Sequence, residues 1–487
     1  MKQYSNYAAP VEMCSNSDKR RLLLPHLCLL VFAYLYLGIA GHSQAVPTFA
    51  RQTGQSCVAC HAGGQFPELT PYGRIFKLTG YTIGSQGNPF SGMLVSDLTR
   101  NRNNVDANYV SPATSSTIAS QNNIPIVDFG SVFIAGKLTD NMGGFVQITY
   151  SVYDHQDNSG NWRGHLGLDN TDLRYANRFL NSTNDLILGV TVHNSPGVQD
   201  VWNSTATWGY PYVSSNGGAS AFAGLPITTK LEDGTLASQA AGVGGYAYWN
   251  KTVYLELTGY QTATGFWKFL SQGYKLGDQN NPLIYSQGVS PYMRLAFTHE
   301  WKDQSLMLGW VGMNTNLYQM SADTGLPQFG PVTHYQDQGV DAQYQYLLDP
   351  HTVTAHFRYI RENINDDTNT NSNSNYLNSL YAKVTYIYRN QYGADVAYKS
   401  VKGSTDNNAY NTSLSPAGYS YASSALSSPS STLWTPEIFW LPVQNMRIGL
   451  QYNLFTEYLG ASTHYDVNSS RNASDNNSAF LYAWFAF

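Results

Sequence analysis

The residues with the most specific chemistry in this chain are Cys57-Val58-Ala59-Cys60-His61. A C-x-x-C-H run is an attachment site for a c-type haem. Its spacing sets both sulfurs and the imidazole on one short turn. The thiols bond covalently to the haem vinyl groups, and the adjacent ring nitrogen reaches the iron. The expectation is one haem c, with Cys57 and Cys60 as thioethers and His61 as proximal ligand to the haem iron. The sequence has no second such motif, so the implied chemistry moves one electron at a time.

Other residues are candidates to complete the site. A distal Met raises the potential of a c-type haem. Met93 is the choice, because it follows the motif closely and shares strand parity with Asp97, which should face inward. His155, His165, His193, His299, His334, His356 and His464 are nitrogen alternatives. Arg51, Arg74 and Lys77 flank the motif and are candidates to pair with the haem propionates. Ordinary surface charge is the plainer reading of all three. Tyr72 and Phe76 are expected to cover the porphyrin. Glu232-Asp233 and Asp366-Asp367, in expected external loops, offer hard oxygen ligands, although adjacent acids in loops are usually just solvated.

The elements that position these residues start with an export signal. Lys19-Arg20-Arg21 precedes an apolar run from Leu22 to Ala40, and Ser43-Gln44-Ala45 is a small-x-small cleavage site. Residues 1–45 therefore read as a signal peptide. Cys14 and Cys28 fall within it, so both remaining thiols would belong to the haem. Export and haem attachment imply the same compartment. The net charge of −5 argues against nucleic acid as a partner.

After residue 45 no apolar run is long enough for a spanning helix. The pattern is instead period two. Met446, Ile448, Leu450, Tyr452 and Leu454 alternate with Arg447, Gly449, Gln451 and Asn453, and the segments around Val340, Val353 and Ala394 behave alike. Tight turns are expected at Asp140–Gly143, Asn181–Asn184, Asn250-Lys251, Lys302-Asp303, Leu348–His351, Arg389-Asn390 and Pro442-Val443. Long segments such as Asn194–Ser238, Thr264–Gln287 and Gly403–Ser430 separate them. Short turns at one rim and long loops at the other are the pattern of an outer-membrane barrel. Charged residues make up only 12%, which suits an apolar outer wall. The expected fold is all-β, a sixteen-stranded transmembrane barrel over residues 92–487, in outer-membrane lipid. Such a lumen is wider than side chains can fill. Residues 46–91 are too short to fold alone without a staple. They are expected to pack at or inside the barrel mouth.

Val46–Gly54, the C-x-x-C-H run and Phe66–Tyr81 together resemble the start of the Cyc2 family, outer-membrane cytochrome–porin fusions of iron-oxidising bacteria. The terminal Ala483-Trp484-Phe485-Ala486-Phe487 also resembles the end of many outer-membrane proteins. The family resemblance implies a cytochrome that oxidises extracellular Fe(II) and passes electrons to a periplasmic cytochrome or copper protein. A conduit for a different donor or acceptor, or a passive porin with a haem-bearing plug, is the alternative expectation.

Overall fold

The computed structural model describes residues 47–64, 67–102, 125–156, 162–204, 224–232, 236, 239–273, 285–321, 326–367, 375–406, 410, 424–466 and 470–487. The expected signal peptide, residues 1–45, lies outside them, with Cys14 and Cys28. Sixteen strands run in chain order: β1 (Phe90–Asn101), β2 (Ile126–Lys137), β3 (Met142–Gln156), β4 (Trp162–Leu180), β5 (Asp185–His193), β6 (Ala240–Trp249), β7 (Val253–Thr262) and β8 (Ser290–Trp301). They continue as β9 (Gln304–Met320), β10 (Pro327–Leu348), β11 (His351–Asp366), β12 (Asn375–Tyr388), β13 (Tyr392–Gly403), β14 (Ser431–Trp440), β15 (Met446–Glu457) and β16 (Ser478–Ala486). Each pairs antiparallel with its neighbours, and β1 pairs with β16 from Met93–Ala486 to Asn101–Ser478. The sheet is thus a closed barrel without edges. Each of the sixteen strands was expected from alternation.

The alternation has a definite sense. On β10, Val340 is exposed on the outside while Asp341, Gln343 and Gln345 are buried on the inside. On β12 and β14 the outward residues include Val384, Tyr386, Trp434 and Ile438. A wall that is apolar outside and polar inside is the reverse of a soluble sandwich and fits a membrane. Closure then satisfies every strand's backbone within lipid. Trp249, Tyr392 and Trp440 are exposed beside short turns, as one rim of an aromatic girdle.

The seven expected turns all join strands at one rim. Two have consecutive residues in the left-handed region, Asn250 (φ 49°) with Lys251 (φ 53°), and Arg389 (φ 53°) with Asn390 (φ 52°). Such turns match the twist of paired strands, and Asn tolerates the conformation well. The longer connections lie at the opposite rim. One departs from expectation: parts of the β5–β6 connection turn into the barrel, where Trp202 and Leu231 are fully buried.

Among the described residues before β1 are three short α-helices, α1 (Pro47–Thr53), α2 (Cys57–Cys60) and α3 (Pro71–Leu78). Thr70 caps α3 by accepting from the Gly73 N–H at 3.2 Å, and Pro71 follows in the first turn. Phe49 packs against Phe76 (ring centres 4.9 Å apart) and Tyr81 (5.4 Å), forming a small core. These helices do not separate from the barrel: Gln44–Phe487 form one compact unit.

Candidate functional site

The C-x-x-C-H turn is built on α2. The His61 N–H donates to the Cys57 carbonyl at 2.8 Å, closing the turn. Residues ten positions on hold it from behind. Thr70 donates its hydroxyl to the Ala59 carbonyl at 2.5 Å and its N–H to the Cys60 carbonyl at 2.9 Å. Gly73 sits so close that a Cβ there would run into the Cys60 carbonyl oxygen. Gly63 (φ 61°) and Gly64 (φ 74°) let the chain reverse just after His61.

Cys57 is buried and Cys60 is half-buried. Burial, and the neighbouring Cys57, push the Cys60 thiol up to about 11. Burial pushes His61 down to about 4, so its ring is uncharged near neutral pH. An uncharged imidazole has the lone pair a metal needs. Two thiols and a neutral imidazole on one rigid turn fit a covalently held haem c.

The surroundings belong to the barrel. The Cys57 Sγ lies 3.3 Å from Oε1 of Gln444, in the β14–β15 turn. A small space of about 10 Å³, enough for a single water, adjoins the turn, bordered by Ala62, Glu68, Lys383, Ile387, Asp395 and Arg447 among others. Lys383 pairs with Asp395 at 3.1 Å, and Arg447 pairs with Glu437. Sequence reasoning missed Lys383 and Arg447 as neighbours of the motif. Their signal was inward parity, since a charge facing a protein-filled lumen has to meet a partner.

The three flanking cations are engaged with protein groups. Arg51 donates to the Phe90 carbonyl at 2.5 Å and to the Asn88 carbonyl at 3.3 Å. Arg74 is buried and donates to Ser305 (2.7 Å), Gln343 (3.2 Å) and Gln345 (3.2 Å), with Glu300 at 3.6 Å. Lys77 is buried and donates to the Val198 carbonyl at 2.5 Å and the Asp200 carbonyl at 3.2 Å. These contacts make Arg74 and Lys77 fasteners between helix and barrel. Tyr81 adds a third, donating to Asp172 of β4 at 2.6 Å.

Met93 and Asp97 both face inward on β1, as the parity required. Met93 packs in a cluster with Val95, Phe133, Phe480, Tyr482 and Trp484, which contains no residue of the motif. His356 of β11 lies beside the helical segment, with Nε2 3.8 Å from Oε1 of Glu68. His193 is bound to Tyr260 at 2.7 Å, His165 to the Gln272 carbonyl at 2.9 Å, and His334 to Asn316 at 2.9 Å. His299 stacks on Trp301, and His464 lies exposed in the β15–β16 connection. The His155 side chain is outside the described residues. Phe76 belongs to the small core with Phe49, whereas Tyr72 is partly exposed.

The paired acids differ from expectation. Glu232 is folded into the barrel against Arg358 rather than standing in an external loop. Asp233 lies outside the described residues. Asp366 accepts from Gln319 at 2.8 Å, and Asp367 from the Val332 N–H at 3.1 Å. Among the described residues, no group of three His, Cys, Asp or Glu residues suits a metal ion.

No protein-family model matches the chain, and no characterised protein matches it in sequence. Among solved structures it is similar to OmpT, an outer membrane protein of Vibrio cholerae, with 10% identity over 82% of this chain and 98% of that one, at a TM-score of 0.41. It is similar to the outer membrane channel DcaP of Acinetobacter baumannii, with 12% identity, coverage of 82% and 96%, and a TM-score of 0.41. It is also similar to OmpF of Salmonella typhi, with 11% identity, coverage of 82% and 97%, and a TM-score of 0.43. The chain's own closed ring of sixteen paired strands establishes the porin-like barrel.

Proposed function

We propose that this protein is an outer-membrane c-type cytochrome that oxidises extracellular Fe(II) and passes electrons to a periplasmic carrier. The carrier is a soluble cytochrome or a copper protein. One observation carries the reading: a C-x-x-C-H turn, held from behind by Thr70 and Gly73, on a segment fastened to the inward face of the barrel. A haem c bound to Cys57, Cys60 and His61 supplies one-electron chemistry. The chain's own residues hold that site still. Thr70 and Gly73 fix the turn, Arg74 and Tyr81 tie the segment to the wall, and Lys77 ties it to the β5–β6 connection. Each Fe(II) gives up one electron and remains outside as Fe(III), while one acceptor is reduced on the periplasmic side. The choice of Fe(II) as substrate rests on the resemblance over residues 46–81.

The test has two stages. Denaturing gels stained for haem should show it on the intact chain, and their failure to do so overturns the cytochrome reading. Anaerobic Fe(II) added to oxidised protein should then give the reduced visible spectrum promptly, and a periplasmic c-type cytochrome should reverse it. Reduction by other donors but not by Fe(II) sinks the iron assignment. Reduction that no acceptor reverses favours a passive porin with a haem-bearing plug.

A further inference from the structure

The ring of strands encloses more than the N-terminal helices. In the β5–β6 connection, Trp202 lies beneath the guanidinium of Arg294 from β8, 5.4 Å away, and edge-on to Tyr254 of β7 at 5.1 Å. It shares a buried cluster with Leu78 of α3. Arg294 bridges Asp200 of the connection, at 3.4 Å, and Asp341 of β10, at 2.8 Å, with all three side chains fully buried. The Ser204 hydroxyl donates to Asp341, and the Ser204 carbonyl accepts from Arg358 of β11 at 3.0 Å. Below, Asn203 donates to the Pro67 carbonyl at 2.7 Å. Farther along, the Leu231 N–H donates to Asp337 at 3.0 Å.

The connection is therefore tied to β8, β10 and β11 and to the helical segment beneath it. A water-filled sixteen-stranded lumen would leave inward charges such as Arg294 and Asp341 wet. They are instead dry, and Asp200 of the connection supplies the second countercharge. An ion cluster of that kind is kept only where its partners stay in place.

We infer that residues 198–204 of the β5–β6 connection, packed between the wall and the helical segment, form a seal that closes this barrel to hydrated ions and small solutes. The wall then carries no diffusive traffic, whatever crosses it by electron transfer. The inference stands apart from the haem reading, and the two fail separately. The full-length protein as isolated from outer membranes, with insertion scored by vesicle flotation, is recorded in planar bilayers of phosphatidylethanolamine and phosphatidylglycerol in molar KCl. The expected record has no conductance steps. Open-pore steps from the wild type overturn the seal. The double variant Trp202→Gly, Arg294→Ser should open steps while keeping the heat-modifiable gel migration of a folded barrel. A folded variant that stays silent overturns the role of the connection. Should that variant not fold, the Cys57→Ala, Cys60→Ala protein decides: silence excludes the cofactor and supports closure by the packed chain itself, and conduction assigns closure to the cofactor instead.

Discussion

On β15, Leu450, Tyr452 and Leu454 point to lipid, while Arg447, Gln451 and Asn453 point inward from the same strand. The outward residues need only be apolar. The inward ones need particular partners: Arg447 donates to the Tyr482 hydroxyl at 2.5 Å and pairs with Glu437, and Gln451 donates to Glu437 at 2.6 Å. One face of the wall thus depends on a class of residue and the other on identity. The difference predicts that equal-sized changes on the two faces have unequal effects.

The largest effect belongs to the interior and leaves the wall alone. Cys57→Ala with Cys60→Ala should abolish covalent haem staining altogether while the barrel keeps its heat-modifiable migration. Loss of both together would mean that wall and segment fold as one cooperative unit. Next, Arg447→Met strands Glu437 without its paired cation, while Asp395 keeps Lys383, and should cost about 3–5 kcal/mol in urea unfolding from micelles. On the outer face Leu450→Arg should cost about 2–4 kcal/mol, the range for a cation facing the bilayer. A smaller cost for Arg447→Met than for Leu450→Arg would break the comparison.

Lys77 sharpens it through pH. Burial, with Arg174 nearby, lowers its pKa from the usual 10.5 to about 8. The unfolded chain holds that proton to higher pH than the folded one, so unfolding takes up a proton between those values. Stability should therefore rise as pH climbs from about 8 toward 10.5 and stay flat below, as urea midpoints would show. Lys77→Met should remove up to one proton's worth of that slope. Leu454→Ile, at the outer face, should change stability by no more than about 0.5 kcal/mol.

The same contrast explains what the sequence made legible. Alternation and tight turns exposed all sixteen strands because the outer face repeats one rule along each strand. The motif named Cys57, Cys60 and His61 as candidates through their spacing alone, and the structure sets the three on one short turn. The fastening roles of Arg74 and Lys77 were not legible. Their partners, Gln343 and Val198, lie far along the chain, and cations beside a haem motif suggest propionates first. The inward fold of Val198–Ser204 was hidden for a related reason. That stretch has no periodicity, and Trp202 reads as a loop residue until Arg294 and Tyr254 are seen around it. Glu232 was set outside because adjacent acids usually seek water, yet Arg358 draws it in.

The polypeptide runs from the helical segment straight into β1, the strand that closes the circle against β16, where Gly92 and Phe487 exchange backbone hydrogen bonds of 2.8 and 3.0 Å. That joint bears on biogenesis under the proposed haem attachment. Cys57 is buried in the closed barrel, so a group proposed to bond to it would be installed while the first and last strands are still apart. A maturation enzyme arriving after the joint has zipped would find the sulfur out of reach.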